Sequence, residues 1–560
     1  MKKYFYIILL IFITSNFAKS LPLHERIYVQ TDKYLYLAGE PVLMKLFTTD
    51  AELIPIVLSK IAYVELVGDT VAQIQTKIEL TNGAGSGIIL LPADLPTGYY
   101  RLIAYTRYMR NESADVFFEK NIAVLNTFQS GYIQEEIETN ATASYSVLDD
   151  ISGIVSLQSN KAKYTTRERG ELALSGLPDN IHTLSVSVSG KDFIPVAESD
   201  VSLLMKNRTK NNAEFSNSFL PEYEGHIVTG KIIDNQTRQE VEGKTSFITG
   251  ISFPTVDGIR FFTGQKNETG DVSFFTSGIS ETKEMATIVY NADEKYRVDI
   301  QSPFVARYAP KPTTSLHIDS AYYSQLLARS VALQVFRYFS ENTSENQNIS
   351  EVNFKMKPTY SYLLDEYTRF TTMREVFIEF IVGARFSRNA GKQEISILTQ
   401  REGFYSYGTT PLVLLDGVPI NDHDVIYNYD PLSVKQINIY YGPLIMGGYL
   451  FDGIVELHTY RSLHPDLNLN MSTQIIMYDG PQLPNLWDTP NYSEEKNRSS
   501  RVPDARHTLL WNPNVSADGK TSVILPFDTS DLTGEFQATV EGITKDGKII
   551  FVMVLFNVEQ

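Results

Sequence analysis

Short runs of alternating apolar and polar residues dominate this chain, and a helical period appears only after residue 318. Ile27-Tyr28-Val29-Gln30 and Val42-Leu43-Met44-Lys45-Leu46-Phe47 have the two-residue period of half-buried strands. Turn formers separate such runs at Ala38-Gly39-Glu40-Pro41, Asn82-Gly83 and Pro96-Thr97-Gly98. This spacing predicts a β-sandwich over residues 21–130. Val155-Ser156-Leu157, Glu171-Leu172-Ala173-Leu174 and Leu184-Ser185-Val186-Ser187-Val188 predict a second over 131–220, with the polar run Asn207 to Asn217 as a linker or loop. A third β unit follows over 221–305.

Two helices are expected next. Asp319 or Ser320 caps the first, whose face carries Leu327, Val331, Val335 and Tyr338 at spacings of four, four and three. Thr372-Met373-Arg374-Glu375 is a capping box for the second, with Val376, Phe377, Phe380 and Ile381 as its buried stripe. The polar run Glu341 to Ser350 between them is expected to be exposed. Strands return at Leu412-Val413-Leu414-Leu415, at Val434 to Tyr441 and at Ile454 to Tyr460, so residues 306–460 read as one α+β domain. Strands at 508–511, 521–525, 536–540 and 549–556 predict a C-terminal sandwich over 461–560, completed by Ile475-Ile476-Met477-Tyr478.

Several of these runs carry family signatures. Asp416-Gly417-Val418-Pro419-Ile420, the step Ile437-Asn438-Ile439 to Gly442-Pro443, and Gly447-Gly448-Tyr449 resemble the plug domain of TonB-dependent outer-membrane receptors. Tyr28-Val29-Gln30-Thr31-Asp32-Lys33 with Tyr36 and Gly39-Glu40-Pro41-Val42 resembles the opening of a macroglobulin MG2 domain, a fibronectin-like sandwich. Val228 to Asp234, followed by Gly270-Asp271-Val272-Ser273-Phe274, is similar to a carboxypeptidase-regulatory-type domain, and Phe527 to Phe536 to a late macroglobulin-type domain. Together they resemble an envelope protein of the Bacteroidota. The resemblance implies a mostly β, multi-domain chain of immunoglobulin/fibronectin-like sandwiches plus one α+β plug-like domain. A receptor plug sits inside a barrel, and barrels begin at about eight strands of about 9–11 residues. Too little sequence follows Tyr460 for one. The plug-like module is therefore expected to stand without its pore.

Composition narrows the chemistry. A chain of 560 residues is too long for one core, and 43% hydrophobic residues suffice for several. A net charge of −17, without a basic stripe, argues against a nucleic-acid partner. Lys2-Lys3, the apolar run Tyr4 to Ile13 and Ala18-Lys19-Ser20 predict a secretory signal over residues 1–20, cleaved after Ser20, and hence an exported protein of the periplasm or outer membrane. No later run is long enough for a spanning helix. The chain has no cysteine, which removes a thioester protease trap, a cysteine nucleophile, a thiolate metal site and a lipoprotein anchor. Gly243-Lys244-Thr245 and Gly519-Lys520-Thr521 lack the first glycine of a P-loop, and the 8 histidines show no ligand spacing. Catalytic, cofactor and metal residues are therefore expected to be none. One acidic run stays open as a cation site: Asp416, Asp422, Asp424 and Asp430, with Asn421 and Asn428 between. The same residue types form turns.

The function expected from all this is a non-enzymatic envelope scaffold that docks a protein or glycan partner. The alternative is an accessory of a TonB-linked uptake or assembly system, working with a separate outer-membrane barrel protein.

Overall fold

The computed structural model describes residues 23–560 except 130–132, 135–153, 193–214, 242–246, 255–258, 267–269, 291–294, 312–315, 317, 341–355, 402, 447, 462–470, 485–486, 488 and 518. The expected signal peptide, the 341–350 loop and most of the 207–217 linker lie outside the described residues. The chain is mostly β and multi-domain. It divides into two compact units, one of residues 1–223, 307–344 and 484–560, the other of 224–306 and 345–483.

In the first unit, a sandwich forms within 25–126. Its three-stranded sheet contains Arg26–Thr31 (β1), Pro41–Thr49 (β2) and Ala84–Leu90. The facing sheet has five strands, in the order Leu35–Leu37, Phe118–Leu125, Gly98–Thr106, Ile61–Val67, Ala72–Glu79. Asn82 and Gly83, at φ 52° and 76°, make the two-residue turn into Ala84–Leu90. All six residues of β1 are buried, so its polar positions are covered as well as its apolar ones.

The second sandwich corrects the expected domain boundaries. Its three-stranded sheet runs Ser156–Ser159, Arg169–Ser175, Ser522–Asp528. Its five-stranded sheet runs Lys163–Thr165, Ile549–Glu559, Gly534–Thr544, Ile181–Gly190 (β3), Thr508–Asn512. Residues 131–220 and 461–560 were expected to form separate sandwiches; instead they share both sheets and one core. Leu172, Leu174, Val186 and Val188 pack there with Leu509, Phe527, Phe536 and Ile550. Neither segment alone has strands enough to cover two apolar faces. The strand expected to complete the C-terminal sandwich, Thr473–Asp479, instead pairs with Thr282–Tyr290 in the other unit.

A helix, Tyr323–Ser340 (α1), belongs to this unit and not to the α+β domain. It presents a different face from the expected one. Leu327, Val331 and Tyr338 are 53%, 53% and 70% exposed, whereas Leu326, Arg329, Ser330 and Ala332 are buried. Leu326 and Leu333 pack on Leu35, Leu37, Ala123 and Leu125. The buried stripe contains an arginine and a serine, so hydropathy alone selects the wrong side.

In the second unit, seven strands run in the order Tyr296–Ile300, Ile227–Asp234, Asp271–Phe275, Phe261–Lys266, Ile248–Ser252, Thr282–Tyr290, Thr473–Asp479. Against them lies a mixed sheet: Ala384–Asn389, Lys392–Arg401 (β4), Val434–Met446 (β7), Tyr449–Thr459 (β8), Leu412–Leu415 (β6) and Val418–Pro419. Phe404–Gly408 (β5) pairs with β4, and Tyr360–Leu363 with β7. Met373–Glu379 (α2) starts at the expected capping box, where Thr372 Oγ1 accepts from Glu375 N at 3.3 Å and Glu375 accepts from Thr372 N at 3.2 Å. Strand β6 explains the unbroken apolar run. Val413 and Leu415 enter the core with Val376 and Phe377 of α2, and Leu412 and Leu414 enter another with Phe261 and Tyr290.

Candidate functional site

The acidic run does not converge. Asp416 and Gly417, at φ 49° and 81°, form the two-residue turn between β6 and Val418–Pro419. Buried Asp416 accepts from Thr459 N at 2.8 Å and from its hydroxyl at 2.6 Å, fixing the turn to the end of β8. Asp422 accepts from Asp424 N at 3.1 Å, Asp424 from Gln393 N at 3.1 Å, and Asp430 from Leu432 N at 2.9 Å. Asn428 donates to Asp424 O at 2.8 Å. Each carboxylate serves a separate backbone amide, which is turn chemistry. Among the described residues, no three His, Asp or Glu side chains gather as a metal set. Within this loop His423 Nδ1 accepts from Ile395 N at 2.9 Å, and burial pushes its pKa down to about 4 despite Asp422 and Asp424.

A buried charged cluster lies in the first unit, where β1, β2, β3 and α1 meet. Glu40 accepts from Arg329 Nε at 3.1 Å and Nη2 at 2.9 Å, and Lys33 Nζ lies 3.0 Å away. Arg329 also donates to Leu35 O at 2.8 Å and to Asp192 at 3.4 Å. Asp192 in turn accepts from Tyr34 N and Leu35 N. Burial would raise the Glu40 carboxyl, but Arg329 and Lys33 outweigh it and hold the group well below the usual range. Burial wins at Asp192, whose pKa is raised; its contact with Arg329 is the longer one. Asp32 accepts from Tyr36 Oη and Thr508 Oγ1, both at 2.8 Å.

A small cleft, partly open to solvent, adjoins this network and is lined by Lys33, Glu40, Phe336, Trp487 and His507. Burial, with Arg329 and Lys33 nearby, pushes His507 well below its ordinary value, so the ring is neutral at pH 7. The cluster pairs its charges with one another and leaves the Thr508 hydroxyl donating to Asp32. It fastens two sandwiches and a helix.

A polar seam extends the same junction. Tyr28 Oη donates to Glu541 at 2.7 Å, Ser185 bonds Gln30, and Ser187 donates to Asp32 O at 3.0 Å. Lys45 donates to Asn514 Oδ1 at 2.5 Å, and burial lowers its pKa to about 8. These residues are the polar positions of strands whose apolar positions alone marked them as strands. The alternating Ser185, Ser187 and Ser189, all buried, were the available signal.

Some of the second unit's exposed apolar side chains lie near the β7–β8 hairpin. Ile445 and Leu450, paired across its tip, are 76% and 43% exposed. On β5, Phe404, Tyr405 and Tyr407 are 79%, 60% and 41% exposed. The Arg385 guanidinium lies over the Tyr407 ring, 3.8 Å from its centroid. Asp452 fixes the base of this region, accepting from Arg401 at 2.5 Å and from Thr410 Oγ1 at 2.7 Å. Deeper in the sheet, Glu456 bonds Asn438, Tyr440 and His458.

No family model and no curated protein matches this chain. Among solved structures, it is similar to an Escherichia coli alpha-2-macroglobulin activated by porcine elastase, at 9% identity and TM-score 0.25, covering 95% of this chain and 44% of that one. A Salmonella alpha-2-macroglobulin reacted with methylamine gives 9% identity and TM-score 0.24, covering 96% and 40%. An Escherichia coli adhesin gives 11% identity and TM-score 0.13, covering 52% and 65%. The chain thus spans less than half the length of the macroglobulins it matches. TM-scores this low do not establish a shared arrangement of domains.

Proposed function

We propose that this chain is a non-enzymatic scaffold of a Gram-negative cell envelope, exported to the periplasm or outer membrane, that docks a protein partner through its α+β domain. The macroglobulin-like, carboxypeptidase-regulatory-like and plug-like readings of its sequence point the same way. The observation that carries the proposal is the solvent-facing pair Ile445 and Leu450 on a hairpin whose base is anchored by Asp452. Exposed apolar groups on a rigid element suit protein contact, because burying them against a partner removes them from water. The buried charges of the junction serve the complementary purpose of holding two sandwiches as one spacer.

Affinity capture from native envelopes with crosslinking tests this. Ile445→Asp combined with Leu450→Asp is expected to lose a specific crosslinked protein while thermal unfolding stays unchanged. Recovery of the same proteins by the wild type and the double variant would rule out the hairpin tip as the docking surface. Deleting 400–460 is not a usable control, because Leu412 to Leu415 are fully buried core residues. A soluble glycan that displaces the crosslinked species would reassign the surface to carbohydrate.

A further inference from the structure

Strand β5 is an open edge: among the described residues its outer side pairs with no strand. It carries none of the usual guards against edge pairing, having no proline, no charge and no bulge in Phe404-Tyr405-Ser406-Tyr407-Gly408. Its register fixes which backbone groups are free. Arg401 pairs with Phe404 across two residues, closing a two-residue hairpin. In such a hairpin the closing pair exchanges both hydrogen bonds, and bonded pairs then alternate. Thr399 with Ser406 and Ile397 with Gly408 are thus bonded inward. Tyr405 and Tyr407 aim their N–H and C=O groups outward.

We propose that β5 pairs antiparallel with β5 of a second copy of this chain about a twofold axis at Ser406. Any strand that pairs antiparallel with its own copy makes an isologous contact, and with the axis at Ser406 the residues brought opposite one another are both tyrosines. In this register Tyr405 of each copy faces Tyr407 of the other as a bonded pair. All four outward amide and carbonyl sets are then satisfied. Tyr405, Tyr407 and Arg385 lie on one face of the sheet, so the two cross-strand tyrosine pairs extend the existing Arg385–Tyr407 stack. Ser406 meets its own symmetry mate as a non-bonded pair. This contact is separate from the Ile445–Leu450 tip, so it can fail while partner docking stands, and the reverse.

Sedimentation velocity over a concentration series is expected to show a reversible monomer–dimer equilibrium. Tyr405→Pro removes an outward N–H without touching the bonds to β4, and is expected to leave a folded monomer. Ser406→Cys supplies the one thiol of a cysteine-free chain. Non-bonded antiparallel pairs place Cα atoms about 4.5 Å apart, inside the span of a disulfide. Ser406→Cys is therefore expected to form an interchain disulfide on mild oxidation, while the exposed but off-axis Ile445→Cys stays reduced. A chain monomeric at every concentration, a dimer that survives Tyr405→Pro, or equal oxidation of the two cysteine variants would overturn the pairing. Should Tyr405→Pro fail to fold, the two cysteine variants decide alone.

Discussion

Replacing Arg329 with methionine is expected to destabilise the first unit by about 3–5 kcal/mol, as loss of one partner from a buried ion pair does. The variant keeps the aliphatic length that packs on α1's neighbours but leaves Lys33 as the remaining cation beside Glu40 and Asp192, in a site where all three are buried or nearly so. Lys33 compensates part of the Glu40 charge, so the lower half of that range is expected. Both tryptophans, Trp487 and Trp511, lie in this unit. Tryptophan fluorescence in urea therefore reports its unfolding selectively, and the midpoint should fall without a change in slope. Arg329→Met with Glu40→Gln is expected to cost less than the sum of the single changes, because the orphaned carboxylate has been neutralised. Additive losses would mean that Arg329 acts by packing alone.

That cluster was also where reading the sequence failed, and for a physical reason. Alternation locates strands through their apolar positions and is silent on polar positions that another domain covers. Gln30 and Lys45 stand at the polar positions of the alternating runs, yet they and Asp32 are buried, against Ser185, Asn514 and Thr508. Helix α1 was legible as a helix, but its apolar stripe of Leu327 and Val331 faces water because Arg329 is the residue with partners waiting. Domain boundaries failed differently. Local periodicity cannot say that Arg169–Ser175 pairs with Ser522–Asp528, some 350 residues onward. Local chemistry, by contrast, was read correctly. The Thr372–Glu375 box caps α2 and Asn82-Gly83 turns a hairpin, since both are decided within four residues. The Asp416-Gly417 turn is real, and its aspartate accepts from the Thr459 amide and hydroxyl. Strand β5 was missed, although Gly403 followed by Phe404-Tyr405-Ser406-Tyr407 carries a turn and an alternation.

Lowering the pH from 6.5 to 4 is expected to weaken the second unit by about 3 kcal/mol through His423. Its folded pKa is depressed to about 4 from an ordinary 6.5, and each tenfold loss of proton affinity on folding corresponds to about 1.4 kcal/mol. The unfolded chain binds the proton first, so stability is fully present above pH 6.5 and declines until the folded imidazole also titrates. His458 acts in the opposite sense and in another window. Burial would lower its pKa, but Glu456 outweighs burial and raises it, so its contribution is present below pH 6.5 and is lost at higher pH. Glu40, in the other unit, loses its contribution only as pH falls below its ordinary 4.5. Tryptophan fluorescence cannot see the second unit, but amide exchange of peptides covering 392–430, followed by mass spectrometry, can. Protection there should fall between pH 6.5 and 4 after correction for intrinsic exchange. His423→Asn, which can still accept from Ile395 N but does not titrate, should flatten that dependence. A variant that keeps the wild-type slope would show that the loop's acid response originates elsewhere than in His423.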